Sequence, residues 1–139
     1  METQPTASVQ FLNPEGLIHS PAFSHVAVVP SGSRTIYIGG QDAVDAQGNV
    51  VGKGDLRAQA GQILANLETA LKAAGASFAH IIKWNAYLVQ GQSPQAAYEV
   101  FQPAMRQMSH PPLITVVFVA GLGHPDYLVE MDAIAVVPE

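Results

Sequence analysis

The chain has 139 residues and a mass of 14.7 kDa, which fits a single domain over residues 1–139 with its core at about 13–137. Hydrophobic residues make up 48% and charged residues 12%, a composition that excludes intrinsic disorder and indicates that extra surface is hidden in an oligomer. The net charge of −5, with no cluster of Lys or Arg, disfavours nucleic acid as a partner, and the lack of cysteine excludes disulfides and thiolate catalysis.

The first half of the chain is predicted to contain two strands and one long helix. Residues 1–6 are polar and expected to fray, and residues 13–16 have turn chemistry. Residues 25–29 predict a strand, and residues 35–38 predict its antiparallel return across a hairpin turn at 31–33. Asp55 and Gly75 are typical of the two ends of a helix. Apolar residues recur at helical spacing between them: Leu56, Ala60, Ile63, Leu64, Leu67, Ala70, Leu71 and Ala74.

The second half is predicted to contain a strand at 81–89, a helix and two final strands. Pro94 suits the first turn of the helix, and Pro103 predicts a kink or an early end. The strands at 113–120 and 128–137 are apolar at nearly every residue, which favours cover on both faces, by helices on one side and another subunit on the other. The order β-β-α-β-α-β-β indicates the α+β class.

The chain carries no motif for a metal, a nucleotide or a membrane. Its histidines lack the spacing of a zinc site, and residues 52–55 are too short and too acidic for a phosphate loop. We therefore expect neither metal nor cofactor. Residues 1–8 lack a signal-peptide pattern, and no apolar run reaches about 18 residues. A cytoplasmic location without membrane contact is the expectation.

Two features of the sequence invite a functional interpretation. Glu130 and Asp132 lie on one face of an otherwise apolar strand, where a carboxylate holds amides, pairs with a cation or acts as a base. Gly39 and Gly40 either let a ligand approach the backbone or simply satisfy the end of a strand. The aromatic residues are interpreted as packing residues rather than a ligand cage: Trp84, Tyr87 and Tyr98.

In sequence order, many of these residues resemble the Rid family, also called YjgF or L-PSP. The resemblance runs from about residue 13 to residue 136. It is carried by segments 13–17, 21–25, 35–41, 48–55 and 129–136, and by Gln59, Asn66, Leu67, Lys83 and Pro112.

The resemblance implies a chorismate-mutase-like α+β fold, with two helices on one face of a mixed sheet, assembled as a homotrimer. It also implies small-molecule clefts between subunits and hydrolysis of enamines or imines such as 2-aminoacrylate, without a cofactor. In such a site an arginine grips the substrate carboxylate, while a glutamate and a bound water transfer the protons.

Matched residue by residue, the resemblance assigns the catalytic glutamate to Glu130. The ligand-binding positions fall on Phe23, Gly39, Gln41, Gln95, Ile114 and Val116. Ile114 stands where the family has its arginine, and Phe23 and Gly39 replace a tyrosine and a serine. These replacements predict a less polar cleft that favours a neutral or aromatic ligand. Arg106 and His110 are candidates for a displaced cation.

Three hypotheses follow. The first is a divergent hydrolase of an imine, an enamine or a related small molecule. The second is a trimeric module that binds a small ligand without turning it over, suggested by the missing arginine. The third is a ribonuclease or translation inhibitor, labels that the family has carried and that the acidic charge disfavours.

Overall fold

The computed structural model describes residues 8–138, so the prediction for residues 1–6 lies outside it. The helical elements are α1 (Leu56–Ala73), a 3-10 turn (Phe78–His80) and α2 (Pro94–Met105). The strands are β1 (Gln10–Leu12), β2 (Val26–Val28), β3 (Arg34–Gln41), β4 (Ile81–Val89), β5 (Leu113–Val119) and β6 (Val129–Val137).

The two helices begin where their capping residues are placed. The Asp55 side chain accepts a hydrogen bond from the backbone N–H of Ala58, and the Ser93 side chain does the same for Ala96. Gly75, at a φ of +74°, lies just beyond the end of α1. Helix α2 continues through Pro103 and ends two residues later, at Met105.

Four strands form one sheet in the order β3-β6-β4-β5. The pairings are antiparallel except for β4 with β5, which are parallel, so the sheet is mixed. Both helices lie on one face of this sheet, where fully buried apolar side chains form the core: Ile63, Leu67, Leu71, Trp84, Leu88 and Val129. The predicted α+β class is confirmed. Neither helix is long and apolar enough to cross a bilayer within the described chain.

The predicted hairpin between the first two strands is wrong. Strand β2 pairs instead with β1, in register from Gln10 opposite Val28 to Leu12 opposite Val26, and the two strands form a separate small sheet. Strand β3 pairs with β6. The turn chemistry at residues 31–33 therefore connects two sheets, because a turn signal fixes a local reversal and not the partner of the strand beyond it.

A buried glutamine fixes the loop that leads into β6. The side chain of Gln59, on α1, has no exposed surface. Its Nε2 donates to the carbonyls of Gly52 (3.1 Å) and Asp126 (2.8 Å), and its Oε1 accepts from the N–H of Leu128 (2.8 Å). The start of β6 is thereby tied to α1, which sets the position of Glu130 two residues further on.

The sheet faces differ in how they are covered. Along β6, Val129 and Met131 point to the helices and are buried, whereas Glu130 and Asp132 point to the opposite face and are half-buried. We refer to this opposite face as the open face, because neither helix lies on it. Val117, on the edge strand β5, also faces this side and is 41% exposed.

Candidate functional site

Glu130 lies on the open face beside a bulge in the neighbouring strand. Ile38 pairs with Ala133 and Gln41 pairs with Met131, so Gly39 and Gly40 together lie opposite the single residue Asp132. An extra residue in one strand bends it and redirects its side chains, and bulges are common beside functional sites. The bulge therefore brings the backbone of β3 close to the Glu130 carboxylate.

The two glycines of the bulge have different surroundings. A Cβ atom at Gly40 would lie 2.6 Å from Oε2 of Glu130 and 2.9 Å from its carboxyl carbon, whereas a Cβ at Gly39 would meet nothing within 4 Å. Gly40 thus makes room for the glutamate, and Gly39 leaves open space above the strand. Gln41 follows, and its side chain donates to the carbonyl of Gly39 at 3.2 Å.

Asp42, directly after β3, is a member of the site that the sequence did not indicate. Its carboxyl group is hydrogen-bonded to that of Glu130, and burial, the charge of Glu130 and this hydrogen bond raise the pKa of Asp42 from 3.8 to about 7. Nothing in the sequence distinguishes it from an ordinary aspartate after a strand. Only the register of β3 against β6 brings it beside Glu130.

Asp132 belongs to a different network. Its Oδ1 accepts from Nδ2 of Asn85 at 2.7 Å, and its Oδ2 accepts from the Tyr87 hydroxyl at 2.9 Å. The hydrogen bond to Asp132 raises the pKa of Tyr87. Both carboxylate oxygens are held by neighbouring side chains of β4. Asp132 therefore has a structural role, which is one of the alternatives that the sequence allowed for Glu130 and Asp132.

Ile114 and Val116 lie on the helix-facing side of the edge strand β5. They pair with Trp84 and Ala86 and line a cavity of about 70 Å³ between β5 and α2. The lining is almost wholly apolar and includes Tyr98, Phe101, Met105 and Met131. Trp84 is 1% exposed, and its indole N–H has no hydrogen-bond partner among the described residues. Trp84 is thus a core residue, which agrees with its interpretation as a packing residue.

The other two predicted ligand-binding residues, Phe23 and Gln95, lie outside the sheet at two different places near β5. Gln95 is exposed on the first turn of α2, beside the cavity-lining Pro94, and its amide is 3.5 Å from Oε1 of Glu99. Phe23 precedes the buried Ser24, whose N–H and hydroxyl donate to the carbonyls of Pro112 and Pro111. Phe23 therefore lies near the start of β5, and Gln95 lies beside the cavity that Ile114 and Val116 line.

Within one chain, the predicted site residues form two separate groups. The first contains Glu130 with Gly39, Gly40, Gln41 and Asp42. The second contains Phe23, Gln95, Ile114 and Val116. Strand β4 lies between β5 and β6, which separates Ile114 from Glu130 by about 10 Å across the sheet and about 10 Å along it. The two side chains also point to opposite faces of the sheet.

The two candidate cations lie with the second group. Arg106 is exposed at the end of α2, in a groove with Tyr98 and Pro111, and the His110 ring stacks on Phe11 with ring centres 5.0 Å apart. Neither is placed beside Glu130 of the same chain. Residues 8–138 contain no group of three side chains suited to a metal ion.

The protein was compared with known families and structures. The family model described as endoribonuclease L-PSP matches residues 17–137. A search of the curated proteins gave no match. The similar solved structures include a Rid-family protein of unknown function, YyfB, from Yersinia pestis, with a TM-score of 0.80 and 34% identity over 93% of this chain and 98% of that one.

Two further structures extend the comparison. TdcF from E. coli, with bound serine, has a TM-score of 0.68 and 30% identity, over 78% of this chain and 84% of its own. Rv2704 from Mycobacterium tuberculosis, of the YjgF/YER057c/UK114 family, is 23% identical, with a TM-score of 0.63 over 94% of this chain and all of its own, and supports the fold alone. The chain belongs to the endoribonuclease L-PSP family, the Rid or YjgF family that its sequence resembles.

Proposed function

We propose that the chain forms a homotrimer with a small-molecule cleft at each subunit interface, and that it hydrolyses an imine, an enamine or a related small metabolite there. Glu130 is the catalytic base. The observation that carries this proposal is the position of Glu130: a carboxylate beside a glycine bulge, on a sheet face that neither helix covers. A structural carboxylate would instead have both of its oxygens held by neighbouring donors, as Asp132 does.

The cleft requires two copies of the chain. Glu130 and two of the predicted ligand-binding residues, Ile114 and Val116, lie on opposite faces of one sheet with β4 between their strands, so a single chain does not assemble the site. Packing the Glu130 end of one subunit's sheet against the β5 edge of another subunit's sheet brings the two groups of predicted site residues together. The exposed apolar side chains of β5, Val116, Val117 and Phe118, give this contact a hydrophobic contribution.

The chemistry needs one proton acceptor and one water molecule. Glu130 removes a proton from the water as its oxygen attacks the C=N carbon, which forms a carbinolamine. The glutamate returns this proton to the nitrogen, and then moves the hydroxyl proton of the carbinolamine to the nitrogen as the C–N bond breaks, so that a carbonyl compound and ammonia are released. Water supplies both the oxygen atom and the protons, so the reaction balances without a cofactor.

The ligand is proposed to be less polar than the amino-acid derivatives that the family fold accommodates. TdcF was crystallised with serine, a small zwitterion. Here Ile114, Val116 and Phe23 supply apolar surface to the proposed cleft. An apolar pocket gives no charge-assisted hydrogen bond to a carboxylate, which favours a neutral or aromatic imine.

The experiment measures hydrolysis of 2-aminoacrylate, generated by a dehydratase, and of an aromatic imine, each with and without the protein. We expect acceleration with a preference for the aromatic substrate, and at least a hundredfold loss of kcat/KM in Glu130→Gln, since general-base catalysis contributes about 10²–10⁴. The matched control is Glu68→Gln, an exposed glutamate of α1 that pairs with Lys72. Equal rates in Glu130→Gln and the wild type would overturn the assignment of the base.

A second function, ligand binding without turnover, is favoured by the apolar surroundings of Ile114. Calorimetry with the product ketone distinguishes it: binding without any accelerated hydrolysis supports the binding module. The endoribonuclease activity in the family description is the third candidate. The net charge of −5 disfavours it, because affinity for RNA rests on clustered cations, and salt-sensitive RNA binding would support it instead.

A further inference from the structure

Continuing the pairing of Gln41 with Met131 by one residue places Asp42 opposite Glu130, so the two carboxyl groups are neighbours across the strands and share a hydrogen bond. A hydrogen bond between two carboxyl groups needs a proton, because two ionised carboxylates have only acceptors. The second oxygen of Asp42, Oδ1, is buried and has no hydrogen-bond partner among the residues described. An ionised Asp42 would therefore place charge on an atom that neither water nor a donor stabilises.

Within residues 8–138, neither carboxyl group takes part in an ion pair. From β4, Tyr87 lies opposite Glu130, and its hydroxyl donates to Asp132, the next carboxylate on the same face of β6. From α1 the Asn66 amide donates to the backbone carbonyl of Asp42 at 3.0 Å, which fixes the backbone and leaves the carboxyl group without this donor.

We propose that Asp42 and Glu130 share a single proton. Asp42 carries this proton and donates it in a hydrogen bond to the Glu130 carboxylate. Asp42 is then a positioning residue: its O–H holds the Glu130 carboxylate over the bulge in its ionised form, ready to accept a proton from water. Asp42 and Glu130 belong to the same chain. The catalytic consequence rests on the proposed function, but the shared proton itself does not.

The electrostatics of the pair agree with this arrangement. Burial and the charge of Glu130 raise the pKa of Asp42 to about 7. The proton that Asp42 carries is then expected to leave near pH 7. Above this pH both groups are charged, and repulsion drives the Glu130 carboxylate away from the position that Asp42 sets.

The test is a pH titration of the ligand-free protein, followed by NMR of carboxyl carbons labelled with ¹³C in Asp and Glu. We expect one Asp carboxyl signal to change in a step near pH 7, assigned by its loss in Asp42→Asn and in Glu130→Gln. Asn keeps a hydrogen-bond donor at nearly the same place but cannot be ionised, so the variant preserves shape and removes the shared proton. Glu68→Gln is the control that leaves the step in place.

A second pair of variants tests whether the step near pH 7 depends on the position of the Glu130 carboxyl group or responds to any substitution in the bulge. A side chain at Gly40 meets the Glu130 carboxyl group at 2.6 Å, whereas one at Gly39 meets nothing within 4 Å. We therefore expect Gly40→Ala to remove the step near 7 and Gly39→Ala to retain it. Carboxyl signals that all titrate in the ordinary acidic range, or a step near 7 that persists in Asp42→Asn, would overturn the proposal.

The outcomes distinguish this inference from the proposed function. A step near 7 without any accelerated hydrolysis supports the shared proton and contradicts the hydrolase. Hydrolysis that depends on Glu130, without the step, supports the hydrolase and contradicts the shared proton. Where both hold, kcat/KM falls as pH rises through 7, and this alkaline limb is absent in Asp42→Asn.

Discussion

Glu130 and Asp132 are separated by one residue on the same face of one strand, yet their surroundings give them different chemistry. Asp132 accepts hydrogen bonds from Asn85 and Tyr87 on the neighbouring strand, which stabilise its charge. Glu130 meets a second carboxyl group and a glycine bulge instead. At the scale of single residues, function therefore follows from cross-strand partners more than from residue type.

The pair also makes stability depend on pH in the direction opposite to that of a salt-bridged aspartate. The pKa of Asp42 is about 7 in the folded protein and near 3.8 in an unfolded chain, so the folded state binds more protons between these values. The free energy of unfolding therefore falls, by this contribution, as pH rises from about 4 to about 7.

Urea denaturation of the wild type and Asp42→Asn, at one protein concentration and several pH values in this range, measures the effect. We expect the stability of the wild type relative to Asp42→Asn to decrease as pH rises, because the variant lacks the titrating group. A difference between the two proteins that does not vary with pH would contradict this expectation.

At this scale the sequence indicated Glu130 and the glycine pair of the candidate site but not Asp42. Glu130 was identifiable because a carboxylate in an apolar strand is unusual. Gly39 and Gly40 were identifiable because two consecutive glycines at the end of a strand indicate a structural or a functional requirement. Asp42 was not identifiable, because an aspartate that follows a strand is common in turns. Its contact with Glu130 depends on the bulge, whose register is set by long-range pairing.

At the scale of elements, the helices were better predicted than the strand pairings. Helix α1 runs between the predicted capping residues Asp55 and Gly75, since caps and periodicity are local signals. The hairpin prediction failed because β1 has only three residues and no periodic pattern, yet it provides the partner of β2. The pairing of strands depends on contacts distant in sequence, which a turn does not encode.

Gln59 links two of these elements, and its replacement tests the link. We expect Gln59→Leu to lower the free energy of unfolding by about 1–3 kcal/mol for each buried backbone group left unpaired, because Leu fills the space but makes no hydrogen bond. The groups at stake are the carbonyls of Gly52 and Asp126 and the N–H of Leu128.

Urea denaturation measures this loss, with Gln107→Leu, at an exposed position after α2, as the matched control. Equal stability of the two variants would show that the loop before β6 is held by other contacts.

At the scale of the whole molecule, the apolar composition and the open face lead to the proposed trimer. Light scattering is expected to give three times the chain mass of 14.7 kDa. Val117→Asp places a charge on the open face of β5 and is expected to reduce this mass to that of one chain, since burying an unpaired charge is costly.

The matched control for this substitution is Ala65→Asp, on the exposed side of α1, which should leave the mass unchanged. A single-chain mass for the wild type would contradict the trimer, provided circular dichroism shows a folded protein.

The edge strand β5 also affects the tendency of the unassembled chain to aggregate. Its seven residues, LITVVFV, carry no charge, have high β-propensity and expose one row of backbone N–H and C=O groups. Such a segment is a template for cross-β aggregation. Pro111 and Pro112 interrupt it at one end only. In the proposed trimer the subunit interface would cover this strand, so assembly would compete with amyloid-like aggregation of newly synthesised chains.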